Sequence, residues 1–179
     1  MSAATGRAAV AVLDALRERG MTLAVAESLT GGALSAALVA IPGASDVLSG
    51  AVVAYATPIK SSVLGVDPVL LAAHGPVDPE VARQMAAGAR MALAVDGRAA
   101  DVGVSTTGVA GPTPQGGKQV GTVHVGVSVA ERATSRTFRF GGDRSAIRAA
   151  AVQAALVLLL EVVTGAGTDA PAPGRDGRE

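Results

Sequence analysis

Glu27 and Ser28 close an apolar run in the stretch AVAESLTGG, and Gly31 and Gly32 follow the serine by three and four residues. A hydroxyl where a strand gives way to a helix could attack a carbonyl carbon. Free backbone N–H groups beside it could receive the charge that builds on the oxygen. The glycines would let a ligand or a second backbone come close. A serine nucleophile needs a base, and histidine is scarce, with only His74 and His124 in the chain. Lys60 is the other candidate, because a buried lysine can shed its proton and an arginine cannot. Lys60 and Lys118 are the two lysines among 15 basic residues. Plainer roles stay open: Ser28 or Thr30 as a helix N-cap, Lys60 as a solvated charge, and Glu27 as a cap on the strand end or a partner that orients a lysine.

Other chemistries are excluded by composition. The 179 residues contain no cysteine, which removes disulfides, thiolate metal sites and a cysteine nucleophile. Two histidines cannot build a zinc site of several imidazoles. The 15 basic and 15 acidic residues cancel, so there is no basic field of the kind a nucleic-acid binder needs. GPTPQGGKQ imitates a phosphate-binding loop, but counted from Gly111 it carries Gly117 where the pattern wants lysine, and Lys118 is followed by Gln119 where Ser or Thr should follow the lysine. No GxGxxG opens a helix, and no SxxK or GxSxG surrounds Ser28. Asp143 in GGDR reads as an N-cap, and Arg144 as either a solvated charge or an anion clamp.

These residues need elements to position them. Apolar spacing predicts helices over 7–19, 30–40, 58–64, 68–73, 79–95 and 143–163, with Asp78 and Pro79 opening the fifth. Short apolar runs predict strands at 21–26, 50–56 and 101–108. Alternation predicts a hairpin from 120–130 and 134–140. The order argues for a three-layer α/β/α domain, with a mostly parallel sheet made mixed by the closing hairpin. In such a sheet ligands bind beyond the carboxyl ends of the parallel strands. Glu27 and Ser28, Tyr55 with Lys60 just beyond, and Ser105 to Thr107 should therefore converge at one edge.

Hydrophobic residues are 49% of the chain and aromatics 2%, so the core must be Ala, Val and Leu. Residues 1–164 are read as one domain and 165–179, GAGTDAPAPGRDGRE, as a disordered tail. The first 20 residues are amphipathic and charged, without a signal-peptide core. The apolar run AAAVQAALVLLLEVV is interrupted by Gln153 and Glu161 and reads as a buried helix. A cytoplasmic location follows as the expectation, and an Ala- and Val-rich surface suits a homo-oligomer.

Taken together, AESLTGG, VVAYATPIK, GVDPVLLAAHGPV, STTGVAGP, VGTVHVGV and GGDR resemble, in order and spacing, the C-terminal domain of CinA over residues 7–163. That family includes stand-alone nicotinamide-nucleotide amidases. The resemblance implies a three-layer α/β/α fold with a mixed sheet and hydrolysis of the amide of nicotinamide mononucleotide, giving nicotinic acid mononucleotide and ammonia. It implies no metal and no cofactor, and a small-molecule nucleotide as the partner, not nucleic acid or membrane. It places Ser28 as nucleophile, with Lys60, Tyr55 and Thr107 as further catalytic residues. Glu27, Thr30, Gly31, Gly108, Gly111 and Arg144 are expected at the substrate, and helix N–H groups near Thr30 and Gly31 at the oxyanion. Leu29 stands where the family usually has Cys, Thr57 where it often has Asn, and Asp78 where it has Ser. Activities of the family's N-terminal domain are not carried over. The competing expectation is a non-catalytic member that binds a nucleotide as a sensor or partner domain.

Overall fold

The computed structural model describes residues 1–165. The tail beyond Gly165 lies outside them. Five strands, β1 (Leu23–Glu27), β2 (Leu48–Val53), β3 (Val102–Gly108), β4 (Thr122–Val129) and β5 (Arg132–Arg139), form one sheet in the order β2-β1-β3-β4-β5. β1 is parallel to β2 and β3, and β4 is antiparallel to β3 and β5, so β4 alone runs against the other four. Six helices flank the sheet: α1 (Ala3–Glu18), α2 (Ala33–Val39), α3 (Thr57–Ser62), α4 (Pro68–His74), α5 (Pro79–Ala92) and α6 (Arg144–Thr164).

The two faces of the sheet are packed differently. Under α1, α2 and α6 lie Leu23, Val25, Val102, Val104, Val123, Val125 and Val127, the alternate residues of three strands and the main aliphatic core. The other face carries Ala24, Ala26, Gly103, Ser105, Gly126 and Ser128. That small surface lets α5 lie almost on the backbone. A Cβ on Gly103 would sit 2.0 Å from the Ala86 carbonyl, and one on Gly126 would sit 2.2 Å from the Ala82 carbonyl. Ser105 Oγ donates to that same Ala82 carbonyl at 2.6 Å. Asp78 caps α5 by accepting from the Glu80 amide, as its position before Pro79 predicts. Close packing of α5 thus fixes the loop before it, residues 75–78, against the end of β3.

α6 is long and apolar enough to cross a membrane by composition. It packs instead on α1, α2 and the sheet, burying Ile147, Ala151, Ala155, Leu156 and Leu159. The predicted helix over 30–40 begins later, at Ala33. Gly31 and Gly32 have φ of 58° and 93°, left-handed values that open a turn before the helix. Neither Ser28 nor Thr30 caps it; the cap comes from Glu27.

Candidate active site

The carboxyl ends of the parallel strands lie level, with Glu27 in register with Val53 of β2 and Thr106 of β3. Beyond them opens a cavity of about 250 Å³. Of the residues expected at a site, Ser28, Tyr55, Lys60, Thr107, Gly108, Gly111 and Arg144 line it. Glu27, Thr30 and Gly31 do not. Thr57 at the start of α3, Thr113 and Gln115 of the loop after Thr107, and Pro76 and Val77 line it as well; the last two went unforeseen because they come from a loop whose path is set by packing.

Ser28 follows β1 directly, and its amide donates to the Thr106 carbonyl at 2.9 Å, so the strand pairing extends to the residue itself. Its hydroxyl has no partner among the described residues. The capping role open to it is filled by Glu27, which is fully buried. Glu27 Oε2 accepts from the amides of Gly32 and Leu34, each at 3.0 Å, and Oε1 from the amide and hydroxyl of Ser35 at 2.8 and 2.7 Å. Four donors satisfy both oxygens and leave nothing directed to a substrate, so the expectation of Glu27 as a binding group is corrected to one of helix cap.

The Thr30 hydroxyl and the Gly31 amide are spent in the same way. The Thr30 hydroxyl is buried against Thr106 Oγ1 at 2.7 Å. The Gly31 amide is already donated to the Ser28 carbonyl at 3.1 Å. The amides of Leu29 and Thr30 are the ones in this turn with no acceptor among the described residues, and Leu29 lines the cavity.

Lys60 comes from the one-turn-and-a-half helix α3, opened by Pro58 near its start. It is 1% exposed, which removes the reading as a solvated charge. Nζ donates to the Ala54 carbonyl at 2.7 Å, and no carboxylate lies within ion-pair distance among the described residues. Burial without a counter-charge lowers its pKa from 10.5 to about 8. An amine so placed is neutral in part of the population at neutral pH.

Thr107 Oγ1 donates to the Pro76 carbonyl at 2.6 Å, fastening the loop before α5 to the cavity wall. Arg144 opens α6 and crosses the rim: Nη1 donates to the Gly111 carbonyl at 2.8 Å and Nη2 to the Tyr55 hydroxyl at 2.7 Å. Tyr55 is 58% exposed and meets Arg144, not Lys60. Lys60 and Arg144 are the charged side chains around the cavity, both cationic in a chain of zero net charge.

The family model described as the CinA C-terminal domain matches residues 6–163. The chain belongs to the CinA C-terminal domain family. A CinA-like protein of Frankia casuarinae is 48% identical over 154 residues, which are 86% of this chain and 34% of the relative. This CinA-family chain thus spans about a third of the length of that curated relative. Among solved structures, a CinA superfamily protein from Klebsiella pneumoniae is 33% identical with a TM-score of 0.83, covering 90% of this chain and 98% of that one. The competence/damage inducible protein CihA from Agrobacterium tumefaciens is 30% identical with a TM-score of 0.84, covering 92% and 98%. The α/β fold with its mixed sheet is therefore the CinA superfamily fold.

One residue beside the site is not singled out by the sequence. Arg148 lies four residues after Arg144, on the same side of α6. Its Nε donates to the Leu29 carbonyl at 3.0 Å and its Nη2 to the Thr30 carbonyl at 2.6 Å. The i, i+4 spacing of two arginines at a capped helix start was the available signal. The histidines lie outside the cavity lining. His74 Nδ1 is 3.4 Å from Asp78 Oδ2, and His124 is buried on β4, where desolvation lowers its pKa and Nδ1 meets Thr137 Oγ1.

Proposed function

We propose that this protein is a cytoplasmic amidohydrolase that converts nicotinamide mononucleotide and water into nicotinic acid mononucleotide and ammonia by a serine–lysine mechanism. The observation that carries the reading is Lys60, a buried amine with a pKa near 8, lining the same cavity as a serine hydroxyl that nothing else uses. Lys60 in its neutral form takes the Ser28 proton as Oγ attacks the carboxamide carbon. Negative charge moves to the amide oxygen, toward the unpaired N–H of Leu29 in the turn after Ser28. When the tetrahedral intermediate collapses, the C–N bond breaks. The Lys60 ammonium returns its proton to the nitrogen, and ammonia leaves. A water, deprotonated by the same amine, then attacks the Ser28 ester; the bond from the acyl carbon to Oγ breaks, the Lys60 ammonium returns a proton to Ser28, and the carboxylate is freed.

Arg144, the permanent cation at the cavity, favours an anionic substrate over a neutral amide. Arg144 at the rim suits a phosphate, exchanging its carbonyl and phenol contacts for charge-assisted ones. Thr57, Thr113 and Gln115 supply hydroxyls and an amide for a ribose. Ammonia release from nicotinamide mononucleotide, nicotinamide riboside and nicotinamide tests the reading directly. The nucleotide should be turned over fastest, with a rate that rises with pH up to about 8 as Lys60 loses its proton. Tight binding of the nucleotide without ammonia from any of the three would show a sensor domain, and faster release from nicotinamide would show another amide as substrate.

A further inference from the structure

The carbonyls that Arg148 holds belong to the turn that follows the candidate nucleophile, and they connect to the two unpaired amides through a traceable path. The Leu29 carbonyl, held by Nε at 3.0 Å, shares its peptide unit with the Thr30 N–H. In a trans unit the two groups point in opposite directions, so fixing the carbonyl on the α6 side aims the N–H away from it. The Thr30 carbonyl, held by Nη2 at 2.6 Å, shares its unit with the Gly31 N–H. That N–H donates to the Ser28 carbonyl at 3.1 Å, which shares its unit with the Leu29 N–H. One guanidinium therefore feeds both free donors, Thr30 N–H through one peptide unit and Leu29 N–H through two.

We propose that Arg148 is a positioning residue for the oxyanion: through the Thr30 carbonyl, Gly31 and Ser28 it orients and polarises the amide of Leu29, which lines the cavity, so that this N–H can receive the charge on the substrate carbonyl oxygen, while its bond to the Leu29 carbonyl fixes the fully buried Thr30 peptide behind it. This rests on the acyl-transfer reading of Ser28 given above. Hydrogen bonds in a chain strengthen one another, and a charged donor at the head gives the largest polarisation. Arg148 has no carboxylate partner within ion-pair distance among the described residues, so its charge acts on this turn undiluted. Thr106 holds the turn from the other side, through its carbonyl to Ser28 N–H and its hydroxyl to Thr30, but those bonds leave the Leu29 and Thr30 carbonyls unclaimed. Gly31 gives the turn a φ of 58°, a conformation that residues with a side chain rarely adopt.

The test uses the full chain with Arg148→Ala, Arg148→Lys and Arg148→Gln, and two readouts. One is steady-state turnover of nicotinamide mononucleotide. The other is the rate at which a fluorophosphonate captures Ser28: the Oγ–P bond forms, the P–F bond breaks, fluoride leaves and Lys60 takes the proton. Capture needs the nucleophile and the oxyanion donors but not the natural substrate. Arg148→Ala should lower kcat roughly 10- to 100-fold, somewhat less than deleting an oxyanion donor outright. KM should stay within about threefold, because the group stabilises charge that exists only in the transition state. Capture should slow in parallel, and the acid limb set by Lys60 should not move. Arg148→Lys, which keeps the charge, should recover part of the loss, and Arg148→Gln, which keeps only a neutral donor, should recover less. If the alanine variant does not fold, the lysine and glutamine variants are judged on the same measures. Wild-type kcat and capture in Arg148→Ala, or a raised KM with kcat intact, would overturn the proposal while leaving the serine–lysine reading in place. A wild-type protein inert to the nucleotide but captured at Ser28, with slower capture in Arg148→Ala, would overturn the substrate and keep the role of Arg148. A wild-type protein with neither activity would overturn both.

Discussion

Glu27 and Lys60 are both charged, both buried to 1% exposure or less, and both placed at the carboxyl end of the parallel strands. They differ in what surrounds the charge. Glu27 has four donors from the first turn of α2 and its approach. Lys60 has one carbonyl, from Ala54. The first charge is fully compensated and holds the structure together. The second is under-compensated, and the protein answers by lowering its proton affinity. The candidate for chemistry is the one that the fold leaves under-compensated.

The sharpest way to break this contrast is to remove the chemistry at the cavity and leave the cap alone. Ser28→Ala deletes a hydroxyl that supports no cap, so the protein should unfold at the wild-type temperature while ammonia release falls by about 10⁴-fold or more. Wild-type-like turnover would take Ser28 out of the mechanism. Lys60→Arg keeps charge and reach but cannot accept a proton, so turnover should drop about as far as in Lys60→Ala. Substantial activity in the arginine variant would show that Lys60 acts through its charge alone.

Glu27→Ala probes the opposite member of the pair. It strands the amides of Gly32, Leu34 and Ser35 near a helix start, a desolvation cost of about 3 kcal/mol. Thermal or urea unfolding should register a loss of that order, with no change in the pH dependence of whatever turnover remains. A near-neutral effect on stability would mean that water replaces the carboxylate at little cost.

Lys60→Met predicts the reverse sign. The folded pKa of Lys60, about 8, lies below its unfolded value of 10.5, so the folded chain binds fewer protons between those values. Wild-type stability should therefore rise as pH climbs through that window, and the penalty is fully present below about pH 8. The methionine variant removes the penalty and loses one hydrogen bond, a net gain of about 1–2 kcal/mol at pH 7. Melting curves at pH 7 and pH 10 should show that advantage shrinking. An advantage that grows with pH would contradict the assignment. The smallest effect is expected at the rim, where Arg144 is exposed. Arg144→Ala should raise KM about tenfold for the nucleotide and less for the riboside, since only the former carries phosphate. Equal changes would place the phosphate elsewhere.

Most elements of the fold were legible in the chain. Alternation marked the hairpin of β4 and β5, Asp78 with Pro79 marked the start of α5, and the apolar runs of β1 and β3 marked strands buried on both faces. Boundaries moved where a distant group intervened. α2 starts three residues late because Glu27, five residues before its N-cap Gly32, supplies the cap that local pattern assigned to Ser28 or Thr30. Residue types narrowed the chemistry too: without cysteine and with two histidines, lysine was the candidate base for a candidate serine nucleophile.

Which polar groups are spent, and which remain free, was decided only by the tertiary structure. The Glu27 carboxylate, the Thr30 hydroxyl and the Gly31 amide are the right atoms for a site, yet their hydrogen bonds are consumed by the fold. Arg148 looked like one more helix arginine and proved to hold the turn after Ser28 from 119 residues away. A lysine becomes a candidate base only when burial strips it of water and gives it no counter-charge. Residue identity and spacing set which groups can act. Desolvation and hydrogen-bond competition set which ones do, and both depend on neighbours that the linear order does not reveal.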